Sequence, residues 1–207
     1  MNNAGKIAKE SAISFSGMGL GQIFRYLFTT LLARWAGVEL LGIYSIANAV
    51  TRIFEVVGKL GLDQGVLRAV SRAKNQADKQ SVIFSALKMG LISSMIFMLV
   101  QIVIADWLST HIFHQTSLLT RVITIHALSL PLYILIHISA FSTQAYKILK
   151  HKIFVSEIQN PLILLLAMVV FYFSFSAESA IMLPVVISSV FGVITISISL
   201  RNVTGVS

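Results

Sequence analysis

Apolar residues gather along this chain in six long blocks, at about 11–35, 41–62, 82–105, 122–146, 158–175 and 180–200. Every block is long enough, at a 1.5 Å rise per residue, to cross all or most of a hydrocarbon layer roughly 30 Å thick. Short polar or basic stretches separate them. The pattern predicts an all-α fold, a polytopic bundle of six transmembrane helices forming a single domain over 1–207. Pro131 inside the fourth block predicts a kink. Gly17 and Gly21 are spaced i, i+4 and predict a close approach by another helix.

Polar positions inside the blocks are not scattered. In the second block Ser45, Asn48, Arg52, Glu55, Lys59 and Asp63 follow at intervals of 3, 4, 3, 4 and 4, which is one helix face. A charge near the bilayer centre costs roughly 2.5–3.5 kcal/mol, so such residues face a bundle interior or a wet cavity. The first block repeats the stripe with Ser11, Ser14, Gln22, Arg25 and Thr29, and the fourth with His126, Ser129, Tyr133, His137 and Gln144. A weaker version in the sixth has Ser188, Thr195 and Ser199, whereas the fifth is apolar all round from Pro161 to Phe171 and should face lipid more fully. Blocks one, two and four are therefore expected to line a polar cavity.

Depth brings two arginines together. Arg25 lies ten residues before Trp35, and Arg52 eleven after Leu41, across a tight turn at Ala36-Gly37-Val38-Glu39. Their levels then differ by only about 2–3 Å, near the midplane. One reading is structural: Glu55 at i+3 neutralises Arg52, and Lys59 completes an intrahelical ladder. The other is functional. Arg25 has no acidic partner among the first blocks, and two guanidiniums facing one carboxylate suit an anion such as phosphate.

Composition supports the membrane reading. The chain is 56% hydrophobic and 12% charged, with mean hydropathy +0.84, against about 25% charged for soluble domains. Net charge is +8. Lys6, Lys9, Arg68, Arg72, Lys74, Lys79, Lys147, Lys150, Lys152 and Arg201 all lie on one side of the alternating blocks. The other side has Arg34 and Arg121 at its margins, beside Glu39, Asp106 and Glu178. That asymmetry predicts cytoplasmic N- and C-termini and contact with membrane lipids, not nucleic acid. Lys88 is near enough to one end of its block to snorkel outward.

Other chemistry is sparse. The absence of cysteine excludes a disulfide framework and a thiolate nucleophile. Gly17, Gly19 and Gly21 lack the preceding strand that a dinucleotide loop needs. His111 and His114 form an HxxH pair with no third ligand close in sequence, so no metal and no cofactor is expected. His126 and His137 either relay protons or serve as structural hydrogen-bonding groups. An enzyme such as a polysaccharide polymerase would want a large external loop, and the longest here has about a dozen residues. A scaffold without transport would not need buried polar stripes.

The turn Leu32-Ala33-Arg34 … Gly37 … Glu39 … Gly42-Ile43-Tyr44, the exit Gly61-Leu62 … Leu67-Arg68, and Gln144-Ala145-Tyr146-Lys147 with Gln159 carry a family likeness. They resemble the N-terminal half of bacterial polysaccharide-biosynthesis flippases, the O-antigen or lipid-linked oligosaccharide translocases, in the superfamily of multidrug and polysaccharide exporters. Val38 stands where proline is common. The resemblance implies one lobe of a two-lobe flippase of twelve to fourteen helices working by alternating access in the bacterial cytoplasmic (inner) membrane. Its cargo there would be an undecaprenyl-pyrophosphate-linked oligosaccharide destined for lipopolysaccharide O-antigen or another surface polysaccharide. Arg25 and Arg52 would be its cationic contacts, with Gln22, Asn48 and Glu55 beside them. Six helices make one lobe, so a second six-helix half or a second chain is expected as partner, and residues 1–207 alone are expected to be incomplete. The alternative within the superfamily is a cation-coupled drug extruder, for which Glu55 is the sole deep acidic candidate; a non-transporting membrane protein is the other.

Overall fold

The computed structural model describes residues 3–115, 117–146 and 153–204, and among these it is helical, with no strand. Helix α1 spans Asn3–Trp35 and α2 Val38–Gly58. Gly37, at φ +91°, makes the link between them, a conformation that residues with a Cβ rarely adopt. Then come α3, Leu62–Arg72, and α4, Gln76–Trp107, which runs on into a π-helical turn, Leu108–Ile112. The fourth block is two helices, α5 at Ser117–Ala127 and α6 at Leu130–Ala145. A π-helical segment, Phe154–Gln159, leads into α7, Asn160–Ser174, and α8 covers Ser179–Thr204.

Among the described residues, five helical segments are long and apolar enough to cross a membrane: Val38–Gly58, Gln76–Ile112, Ser117–Ala145, Phe154–Ser174 and Ser179–Thr204. At 33 residues α1 is also long enough, but Gln22, Arg25, Thr29 and Thr30 dilute its apolar content, and it is not one of the five. It packs beside them against α2, α7 and the π-helical segment. The bundle is polytopic and all-α.

Several boundaries move from the expected ones for identifiable reasons. The second block ends at Gly58 rather than 62, because Leu60 and Gly61 both turn left-handed, at φ +49° and +71°. The basic stretch after it is helix α3 and not a loop. Its Val66 and Val70 are buried, i, i+4 on one face, while Arg68 and Arg72 stay exposed, the pattern of an amphipathic helix lying on a core. The fourth block breaks at Leu128–Ser129, two residues before Pro131, whose ring cannot continue the ladder to residue 127.

The α5–α6 unit is the most buried of the five segments and sits at the centre. One apolar core joins α1, α2, α5, α7 and α8 through Leu32, Ala47, Ile123, Met168 and Ile181. A second joins α3, α4 and α6 through Val66, Val70, Ile83, Ile134 and Ile138. At one end Trp35 stacks on Tyr172 and meets Phe173 edge-on, and the Tyr172 hydroxyl donates to the Trp35 carbonyl at 2.7 Å. Such aromatic clusters anchor helices at a membrane interface.

Candidate functional site

The stripe on α2 ends in a charge cluster built around Glu55. Its carboxylate is buried, with 2% of the side chain exposed. Arg52 Nη1 donates to one oxygen at 2.8 Å, while Lys59 Nζ and His137 Nε2 reach the other at 3.2 and 3.0 Å. Three donors offset the loss of water that a buried anion otherwise could not bear. The predicted ladder from Arg52 to Glu55 to Lys59 therefore exists, and α6 adds a rung that the spacing within α2 could not show. Close packing permits this reach: a Cβ on Gly58 would stand 2.9 Å from Ile134 Cδ1 on α6. Ser93 of α4 donates to the Gly58 carbonyl at 2.7 Å.

The cluster holds more basic than acidic groups, a guanidinium, a lysine amine and an imidazole against one carboxylate. Lys59 is nearly enclosed, but the Arg52 side chain is half exposed and lies 5.0 Å over the Tyr133 ring. A guanidinium has five N–H donors in a fixed fork. With Nη1 given to Glu55 and one face on an aromatic ring, it is oriented and still has capacity for an anionic ligand.

Arg25 has no acidic partner among the first blocks, but it finds one later in the chain, Glu157 of the π-helical segment, at 3.0 Å. The pair is partly open, with 42% and 28% of the two side chains exposed. Gly17 and Gly21 make it possible, as a Cβ on Gly21 would overlap the Glu157 carbonyl oxygen and one on Gly17 would overlap Ile153 Cγ2. The helix approach read from these two glycines is thus seen, against residues 153–157. Two positions beyond Glu157, Gln159 points elsewhere, donating to Thr195 Oγ1 on α8 at 2.8 Å. Gln22 is exposed on α1 and Asn48 half-buried on α2. The two arginines are held by different carboxylates, and each lies partly open at the bundle surface.

The histidines separate. His137 joins the Glu55 cluster. His126, fully buried on α5, donates from Nε2 to the Ile181 carbonyl at 2.9 Å and meets the Tyr44 ring at 5.7 Å. His111 stacks on Trp107 and lies 2.8 Å from Thr110 Oγ1, and His114 contacts the Thr110 carbonyl, so both rings are engaged within one turn of chain. Among the described residues no three metal-ligating side chains gather. Buried polar residues outside the predicted stripes include Gln101 on α4, which donates to Thr51 Oγ1 at 2.9 Å and to the Ile123 carbonyl at 3.2 Å, tying three helices.

Fold and site together define a multi-pass membrane protein with a buried ionic cluster rich in basic groups. Its sequence matches the family described as polysaccharide biosynthesis protein over residues 7–204, and the chain belongs to that family. No curated protein and no solved structure gives a significant match.

Proposed function

We propose that this chain is one lobe of a flippase, with an undecaprenyl-pyrophosphate-linked oligosaccharide as cargo and the bacterial cytoplasmic membrane as its place of work. The product would be O-antigen or another surface polysaccharide, and no catalysis is assigned to the chain. The carrying observation is the Glu55 cluster, where basic groups outnumber the carboxylate and end in a half-exposed, ring-oriented Arg52. Diphosphate oxygens match that fork, and at an effective dielectric of 20 one contact at 4 Å is worth about 4 kcal/mol before desolvation. Arg25 is the second contact, sharing its guanidinium between Glu157 and the ligand. The alternation of basic and acidic stretches between the apolar blocks of the sequence supports cytoplasmic termini. A second bundle, from another chain or from further sequence, would cover the α2 face and supply the opposing wall for alternating access.

The drug-extruder reading asks for an acidic residue free to take a cation. Glu55 is already ringed by Arg52, Lys59 and His137, which weighs against it. The test is replacement of Arg52 in the native producer, scored by surface polysaccharide and by the amount of protein in the membrane. Arg52→Ala should abolish surface glycan at unchanged abundance, since Lys59 and His137 still satisfy Glu55. Arg52→Lys keeps charge without the fork and should retain partial activity. Loss of the protein from the membrane in Arg52→Ala would make the ladder structural and overturn the proposal.

A further inference from the structure

Helix α3 is held between two segments of membrane-spanning length. Residues 59–61 join it to the end of α2, and residues 73–75 to the start of α4. The 21 residues of α2 rise about 32 Å, close to the hydrocarbon thickness of a bilayer. Its start adjoins the interfacial cluster of Trp35 and Tyr172, so its end falls near the opposite headgroup boundary. Helix α3 follows at that boundary.

The helix has two unlike faces. Val66 and Val70 are buried against α4 and α6, in a core shared with Ile83, Ile134 and Ile138. On the opposite face Arg68 and Arg72 stand four residues apart and exposed, and exposed Lys74 follows in the link to α4. The apolar face is occupied by the bundle, so what α3 offers outward is charge.

Those three cations have no counter-charge in the chain. Asp63, in the first turn, accepts from the N–H of Gln64 at 2.8 Å. Among the described residues neither Asp63 nor exposed Asp78 pairs with Arg68, Arg72 or Lys74, and no other carboxylate does. The next cation, Lys79, is engaged differently, 5.4 Å over the Tyr146 ring. Arg72 lies in the last turn, where the helix dipole favours a cation. That accounts for one of the three and leaves Arg68 and Lys74 unexplained.

We propose that α3 docks on anionic phospholipid headgroups of the leaflet at its end of the bundle, through Arg68, Arg72 and Lys74. Cations at headgroup level match the negative surface of such a leaflet, each worth about fivefold in affinity. Lipid is also the partner that this level supplies at high local concentration. The inference rests on the chain's place in a bilayer and not on the flippase reading.

The test is a fluorophore on Ser71→Cys, an exposed position beside Arg72 in a chain with no other cysteine. The purified chain is placed in phosphatidylcholine nanodiscs doped with phosphatidylglycerol or phosphatidylcholine brominated near the top of the acyl chains. Half-quenching should need about fivefold less brominated phosphatidylglycerol than brominated phosphatidylcholine. Arg68→Gln, Arg72→Gln and Lys74→Gln together should erase that difference, with circular dichroism unchanged because all three positions are exposed. Salt at about 1 M should erase it in the parent as well. Equal quenching by the two lipids in the parent would overturn the proposal, and so would a preference that survives the triple substitution. Quenching by neither lipid would also overturn it, since α3 would then lie in water with a soluble partner as its occupant.

Discussion

Replacing Glu55 with Gln tests whether the cluster holds the bundle together. The amide keeps one acceptor oxygen for Lys59 or His137, but it turns an N–H toward Arg52, donor against donor. Breaking a buried ion pair from one side costs about 3–5 kcal/mol, mostly through the charge left behind. Arg52 is half exposed and can recover water, so its share is small. Lys59, with 15% of its side chain exposed, cannot recover as much. With one acceptor retained, the expected loss is at the low end, about 2–3 kcal/mol. For a chain of this size that lowers Tm by about 4–12 °C, measurable by intrinsic fluorescence of Trp35 and Trp107 in detergent. Glu55→Gln with Lys59→Met removes both sides of the pair and should restore more than half of the loss. A Tm within about 2 °C of the parent for Glu55→Gln alone would refute the reasoning.

Two further outcomes follow from the geometry. Gly21→Val should cost about 1–3 kcal/mol, because the carbonyl of Glu157 is backbone and cannot step aside, and crosslinking between α1 and residues 153–157 should fall with it. Single cysteines at Asn75 and Gln115, both exposed in this cysteine-free chain, should differ in intact cells. Gln115→Cys should react with an impermeant thiol reagent and Asn75→Cys should not, and the reverse pattern would invert the proposed orientation.

The spans were legible because apolar blocks of such length have one solution in lipid, and the stripe on α2 was legible because its partners are three and four residues apart. What stayed hidden depends on contacts distant in sequence. His137 could be placed on a polar face of its own helix, but nothing in the spacing said that this face meets Glu55. Glu157 precedes the fifth apolar block, so nothing in the block pattern assigns it a place in the bundle. The π-helical segment carries it back beside α1, and no periodicity in the sequence announces a π turn. Helix α3 is hard to read because it is only eleven residues long and stands between two long apolar blocks. Its burial is supplied by α4 and α6.

The two ion pairs also differ in when they can form. Arg52 meets Glu55 as soon as one further turn of α2 has been made. Arg25 must wait for Glu157, 132 residues later. At synthesis rates of about 5–20 residues per second, that is an interval of roughly 7–26 s. During it α1 holds an arginine whose acidic partner does not yet exist, and an unpaired charge is costly within lipid. The glycine seam between α1 and residues 153–157, and the ion pair beside it, can close only after that segment has been made.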